Sequence, residues 1–365
     1  MKTRVTIYQL AEKVGVSPST VNRALNGKIN VKPELKARIL ETAKEMGYKY
    51  NTVAASLSRE PIKMAAVLYS SVFAFSNDVE DGMRKAMDKL ADRNLVGKII
   101  RLARECSIKE YRDTVEDLLE EGTEAFVLLP HHDETGMREL LKELEERSVP
   151  VGIVVSDIPE TKRVLSLRRN GRLCGGMAAE LLGVLVGNKK QVAVLTGSQI
   201  GVVHGESTAA FLDIAGRKGL EVVGVFDHSD EPERASVLAE RILKEYPDIG
   251  GVYFNSANSI SFCRKIKKMG KNKKLKIVAT DLFPELKEYL RDGTINYTLF
   301  CNPYLQGKMV VECLFKHMAE HKNYNDGNIL IDPQIVTDWN MDYFIHYNNK
   351  RDGNKDGELS DYHEE

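Results

Sequence analysis

Apolar residues recur along this chain in two rhythms, and the change between them comes near residue 62. Ahead of that point the spacing is helical. Thr6 is suited to capping, and Ile7, Leu10, Ala11 and Val14 follow on one face. Gly15-Val16 gives a tight turn. The stretch "SPSTVNRALNG" (17–27) then reads as a second short helix: Ser17 caps it, Pro18 fits its first position, and Asn26-Gly27 stops it. Val21, Ala24 and Leu25 share its apolar face, leaving Ser19, Asn22 and Arg23 on the other. A third helix, "KPELKARILETAKEMG", opens at Pro33, ends at Gly47 and aligns Leu35, Ile39, Leu40, Ala43 and Met46.

From residue 63 short apolar runs alternate with amphipathic stretches. The runs are "MAAVLY", "VGKIIRL", "AFVLLP", "VPVGIVV", "QVAVLTG", "LEVVGVF", "GGVYFN", "LKIVAT" and "TINYTLF". Stretches such as "DVEDGMRKAMDKLADR" and "ERASVLAERILKEY" separate them. Continuous apolar strands alternating with helices predict parallel sheets covered on both faces. So many strands predict two similar α/β lobes. The linker "TVAASLS" has the pattern of one or two helical turns, too short to be stable alone. The last residues, "NNKRDGNKDGELSDYHEE", are almost without apolar side chains and are expected to be disordered.

Two short helices joined by a glycine turn and braced by a third form a helix-turn-helix, whose second helix enters the DNA major groove. A three-helix bundle with no DNA role has the same periodicity. Charge separates the two readings. Residues 1–60 hold 11 Lys/Arg against 5 Asp/Glu, and the remainder holds 41 against 48. A basic head neutralises phosphates, whereas an acidic body is repelled by them. On the free helix face, Asn22 and Arg23 suit bidentate bonds to adenine and guanine.

At 365 residues the chain divides into two or three domains, and no apolar run reaches the length of a membrane span. No secretory signal is read in "MKTRV", so a cytoplasmic setting is expected. Five scattered cysteines, Cys106, Cys174, Cys263, Cys301 and Cys313, never in CxxC spacing, fit free thiols and argue against a zinc site. His317 and His321 lack a third nearby ligand and read as solvated helix residues; no metal or cofactor is expected. His131-His132 follows a strand directly, a place where ligands bind in α/β sheets, and fits an ordinary loop equally well.

Head, hinge and two lobes in this order resemble the lac repressor (LacI/GalR) family of bacterial regulators. "TIYQLAEKVGVSPSTVNRALNG…VKPELKARILETAKEMGY" carries the resemblance most specifically. The implied fold is an all-α helix-turn-helix head joined by a hinge to an α/β periplasmic-binding-protein type I body of two doubly wound lobes. The implied division is head 1–49, hinge 50–61, body 62–345 and tail 346–365. Within the body, the N-lobe takes about 62–162 and 293–323, the C-lobe about 163–292 and 324–345.

The implied function is a sequence-specific regulator, a repressor of carbohydrate-utilisation genes, that binds a palindromic operator as a homodimer and is controlled by a sugar or polyol. The resemblance assigns Thr6, Ser17, Pro18, Ser19, Asn22, Arg23, Asn26, Asn51 and Leu57 to DNA, with Leu57 a minor-groove wedge. It assigns Ser71, Phe73, Phe75, Asn170, His204, Asn255, Asn258, Asp281 and Asn302 to the effector. Only Leu359 is a leucine after Tyr347, so the dimer is not expected to become a tetramer through a leucine heptad. The chain departs from the family pattern at Tyr50, usually proline; at Ser207, often arginine; at Cys301, often glutamine; and at Asn170, often aspartate.

Two other functions fit parts of the chain. "LTGSQIGVV" with Tyr304 and Lys308 imitates a short-chain dehydrogenase, but Val203 stands where the last glycine of the cofactor turn is needed. A sugar-binding transport receptor would account for the body and not for the basic head.

Overall fold

The computed structural model describes residues 5–25, 31–46, 48, 60–69, 73–187, 191–197, 201–257, 259–325 and 327–344, with Phe73 and Ala74 in their backbone only. Expectations for the hinge, for Asn26, Asn51, Leu57, Ser71 and Asn258, and for the tail lie outside these residues.

In the head, α1 (Ile7–Val14), α2 (Pro18–Leu25) and α3 (Pro33–Glu45) form as the spacing predicts. Thr6 and Gln9 make a reciprocal capping box, and Gly15 takes φ +78°, a left-handed turn that L side chains resist. Leu10, Ala11 and Val14 of α1 pack with Val21 and Ala24 of α2 and with Ile39 and Ala43 of α3.

The body holds two six-stranded sheets. The first runs β11-β5-β4-β3-β1-β2 and the second β12-β10-β9-β8-β6-β7. In chain order the strands are β1 Ile62–Tyr69, β2 Leu95–Leu102, β3 Ala125–Leu128, β4 Val151–Val154, β5 Leu165–Arg169, β6 Gln191–Thr196, β7 Glu221–Asp227, β8 Gly251–Phe254, β9 Lys276–Thr280, β10 Tyr297–Phe300, β11 Asn328–Ile331 and β12 Gln334–Val336. Pairing is parallel except between β10 and β12. Helices Phe73–Ala91 and Pro303–Glu320 cover one face of the first sheet, and Ile108–Glu120 and Glu134–Glu146 the other. The second sheet is covered by Gly171–Leu185 and Val202–Arg217 on one face and by Pro232–Glu245 and Ser259–Lys268 on the other.

One helix pair in each lobe packs backbone to backbone. A Cβ on Gly307 would lie 1.9 Å from the Val79 carbonyl, and one on Gly175 would lie 1.9 Å from that of Ser207. Glycine is required at both places because no side chain fits there.

Sheet membership corrects the lobe boundaries. The sequence places them near 162/163, 292/293 and 323/324. Instead β5 and β11 pair in the first sheet, and β10 and β12 in the second. The chain therefore crosses at Asn170, at Cys301-Asn302 and at Asp332-Pro333. The shift comes from β5, "LSLRR", whose two arginines hide a strand, and from β11 and β12, too short to register as apolar runs.

Candidate functional site: a cleft between the lobes and a free helix face

Strand order reverses between β1 and β3 in the first sheet, and between β6 and β8 in the second. At such switch points the carboxyl ends of parallel strands leave a crevice. Here the two crevices face each other and enclose a cavity of about 660 Å³, the size of a small-molecule site. Strand ends supply its walls: Tyr69 at the end of β1, His131 and His132 after β3, Asp157 after β4, Ser256 after β8 and Asp281 after β9.

Asp281 is the centre of the floor. It is only 3 % exposed and holds φ +66°, a left-handed strain that a non-glycine residue keeps when its surroundings fix it. Burial pushes its carboxyl up to about 6, against the Arg169 charge and the Cys301 backbone N–H, which both favour the ionised form. Its Oδ1 is buried with no hydrogen-bond donor among the described residues. Gln306 also lines the cleft and is 1 % exposed; its Nε2 donates to the Cys301 carbonyl at 2.8 Å and its Oε1 has no described partner. Arg169, 7 % exposed at the end of β5, lines the same floor and donates to the Asn255 carbonyl in the opposite lobe. Two unsatisfied acceptors beside a guanidinium suit a ligand hydroxyl that accepts from the guanidinium and donates to one of the oxygens.

Across the cleft the N-lobe wall is aromatic. The Tyr69 and His131 rings lie 4.5 Å apart, and the Tyr69 hydroxyl is 2.8 Å from His132 Nδ1. His131 Nδ1 accepts from the Asp133 N–H at 3.0 Å, so Nε2, 2.9 Å from the Cys106 carbonyl, is the protonated nitrogen. Burial lowers its pKa, against the hydrogen bond to the Cys106 carbonyl, which favours the charged ring. Asp157 is held by Arg163 at 2.6 Å, and its carboxylate is thereby compensated. Ser256 Oγ lies 2.9 Å from Nε2 of the buried His228, whose pKa burial drives down to about 4. On the N-lobe helix, the Asp78 carboxyl is pushed up to about 7 by burial first and then by the charges of Asp81 and Asp281.

The residues singled out in the sequence fall into three groups. Phe75, His204 and Asp281 line the cleft. Asn255 lies behind His204: its Nδ2 donates to the His204 carbonyl at 3.2 Å and to Thr208 Oγ1 at 2.8 Å, while its Oδ1 is buried without a described partner. Asn170 and Asn302 have other tasks and are corrected here. Each caps the helix after a crossover, Asn170 accepting from Leu173 N at 3.1 Å and Asn302 from Leu305 N at 3.0 Å, and neither is among the cleft-lining residues. Ser207, where the family often has arginine, is buried between helices and donates to the Gly171 carbonyl at 2.9 Å. Arg169, Gln306 and Asp157 were not singled out. Their signal was position: Arg169 ends β5, Asp157 lies in the loop after β4, and Gln306 stands in the first turn of the helix after the second crossover; for Arg169 it depends on recognising β5.

In the head, α2 buries Val21 and Ala24 and leaves Ser19 and Arg23 exposed, with Asn22 half-buried. Ser17 Oγ accepts from Thr20 N at 3.2 Å, the expected cap, and contacts Ser19 Oγ at 2.8 Å. Arg23 lies back along the helix, its guanidinium 3.2 Å from Thr20 Oγ1. Thr6 serves α1 as its cap.

The dehydrogenase pattern does not assemble. Its glycine turn follows β6 in the second sheet, whereas Tyr304 and Lys308 sit on the helix that covers the first. Among the described residues no helix is long and apolar enough to cross a membrane, and no group of three metal-ligating side chains occurs.

The model of the periplasmic binding protein domain matches residues 64–322, and that of bacterial regulatory proteins of the lacI family matches residues 6–51. A D-ribose/D-allose-binding protein of Pseudomonas aeruginosa is 24% identical over 325 residues, 83% of this chain and 97% of that protein. Catabolite control protein A of Streptococcus mutans is 23% identical over 242 residues, 66% of this chain and 69% of its own. Among solved structures, GanP, a glucose-galactose binding protein from Geobacillus stearothermophilus, superposes with a TM-score of 0.70 at 21% identity, covering 78% of this chain and 99% of its own. A Bacteroides fragilis protein described as a LacI transcriptional regulator also gives 0.70, at 18% identity and with the same coverage of both chains.

Proposed function

The chain belongs to the periplasmic binding protein domain family and carries a lacI-family head in front of that domain, and from this premise we propose that it is a repressor of carbohydrate-utilisation genes whose grip on a palindromic operator is set by a sugar or polyol held between the lobes. The architecture is that of a DNA-binding transcription regulator with a sugar-binding body. Regulators of this family and proteins of this fold are in general not enzymes, and the reading assigns the chain no catalysis and a place in the cytoplasm.

The observation that carries the effector reading is the cleft floor. Asp281 Oδ1 and Gln306 Oε1 are buried acceptors without described donors, and Arg169 is a buried donor beside them. Adjacent hydroxyls on a sugar satisfy all three, and the Tyr69 and Phe75 rings offer apolar faces to its C–H groups. The dimer follows from one head reading one half-site, so that a palindrome is matched by a twofold pair. An effector changes DNA affinity only by binding one arrangement of the dimer more tightly than another.

The test has two arms on the full chain. Selection from random duplexes is expected to enrich a palindrome, and a panel of aldoses, ketoses and polyols, followed by thermal shift, is expected to give a binder that alters affinity for it. Enrichment of no sequence would overturn the regulator reading. A panel without any binder would overturn the sugar-like effector alone.

A further inference from the structure

Five cysteines are present, and all are free; two of them meet. Cys174 Sγ and Cys301 Sγ lie 3.5 Å apart, although 127 residues separate them in the chain. Both are fully buried. Cys174 stands in the first turns of the helix that follows the first lobe crossover, and Cys301 is the first residue of the second crossover. We propose that Cys174 and Cys301 are a peroxide-responsive thiol pair that closes to a reversible disulfide beneath the cleft floor.

The geometry needs little change. A disulfide holds its sulfurs about 2.05 Å apart, so the pair must close by roughly 1.5 Å. The surroundings divide the two roles. Cys174 lies near the N-terminus of a helix of 15 residues, where the unpaired N–H groups favour an anion. The bond between the two sulfurs can be donated by either, and the Arg169 charge favours the thiolate of both against burial. The helix N-terminus beside Cys174 therefore makes it the attacking sulfur and Cys301 the resolving one.

Access selects the oxidant. The Cys301 backbone N–H bonds the Asp281 carboxylate and its carbonyl accepts from Gln306, so the pair lies one layer below residues that line the cleft. Hydrogen peroxide is close to water in size and can pass that layer; a peptide disulfide cannot. The Cys174 thiolate attacks one peroxide oxygen. The S–O bond forms as O–O breaks, and the departing hydroxide takes up the proton released by the thiol and becomes water. The Cys301 sulfur then displaces hydroxide from the Cys174 sulfenic acid; S–S forms as S–O breaks, and the Cys301 proton leaves with that hydroxide as a second water. Two thiols lose two electrons, and one peroxide becomes two waters.

The experiment treats the folded full chain with hydrogen peroxide, removes the excess with catalase, alkylates in denaturant and maps peptides without reductant. The expected result is a Cys174–Cys301 cross-linked peptide, free thiols falling from five to three, and recovery of all five with dithiothreitol. In Cys301→Ser, Cys174 is expected to run on to sulfinic acid for want of its resolving partner, and in Cys174→Ser, Cys301 is expected to stay a thiol. Five intact thiols, a bridge to another cysteine, or sulfinic acid on Cys174 in the unaltered chain would each overturn the proposal. The mapping of the unaltered chain decides the matter even if either variant fails to fold.

Discussion

Asn170 donates its side-chain amide to Asp332 Oδ1 at 2.9 Å and so ties the first lobe crossover to the third. The same side chain accepts from Leu173 N and caps the helix that begins there. One residue therefore fixes the start of a helix and the spacing of two connecting segments. Asn170→Ala removes both bonds, and a loss of about 1–2 kcal/mol of stability is expected. Urea unfolding of the full chain measures it. A loss of only a few tenths would mean that water replaces both partners. The effector affinity of this variant is expected to fall far less than that of Asp281→Ala, since Asn170 does not line the cleft.

Next to it, Arg168 grips the other lobe. Its guanidinium makes two bonds to Glu206, at 2.6 and 2.9 Å, from the end of β5 to the helix Val202–Arg217. Arg168 is buried, while the Glu206 side chain is 37 % exposed. Removing the buried partner's counter-charge is costly, but the half-open carboxylate is partly screened, so Glu206→Ala is expected to cost about 1–2 kcal/mol. Arg168→Met, which takes the buried charge away and keeps apolar volume, is expected to cost less. The reverse order in thermal unfolding would show that the arginine's packing, and not its charge, matters here.

Central strands such as "AFVL" and "VGIV" were legible because both of their faces are buried, and the partly exposed edge strands β2 and β7 because their apolar residues stand in a continuous run. β5 was not, because its end turns polar to reach the other lobe, and β11 and β12 were not, because they are short and partly exposed. The polar end of β5 also hid Arg169: in sequence "RR" reads as a solvated pair, and only the fold reveals that each guanidinium enters the opposite lobe. Asp281 was legible because a carboxylate directly after an apolar strand lies at a sheet's carboxyl edge. Asn170 and Asn302 sit at equivalent edges, but a short amide one residue ahead of a helix is drawn to the free N–H groups of the first turn, which outcompete a cleft.

Asp281 also sets a pH dependence. Its carboxyl moves from an unfolded value of 3.8 up to about 6, so the folded chain binds more protons than the unfolded chain between those values. Its contribution is therefore most favourable at low pH and is lost as pH rises from about 4 through about 6. His228, lowered from 6.5 to about 4, has the opposite sign over the overlapping range and partly masks the trend. Comparing Asp281→Asn with the unaltered chain removes that background. The variant is expected to gain stability relative to it as pH rises from 4 to 7, by on the order of 3 kcal/mol at most, and to lose effector binding. A stability difference that does not change with pH would show that Asp281 is not the buried carboxyl described.

The head offers the sharpest test of DNA reading, at Arg23. Its side chain is exposed on α2 and lies along its own helix, with Nε 3.4 Å from the Ser19 carbonyl and a terminal nitrogen 3.2 Å from Thr20 Oγ1. These are weak local bonds, easily exchanged for a stronger pair on a base edge. If Arg23 bonds guanine O6 and N7 in the major groove, Arg23→Ala is expected to cost about 1–3 kcal/mol at the selected operator and to relax preference at one position in each half-site. Affinity for unrelated duplex is expected to change little, and the slope of log affinity against log salt to stay the same. Arg23→Lys is not expected to restore the preference, because an ammonium lacks the planar fork that spans two acceptors. A phosphate contact predicts the contrary on every count: equal loss on all sequences, a salt slope smaller by about 1, and recovery with lysine. Binding curves for the three proteins on operator and on random duplex, each at several salt concentrations, separate the two roles.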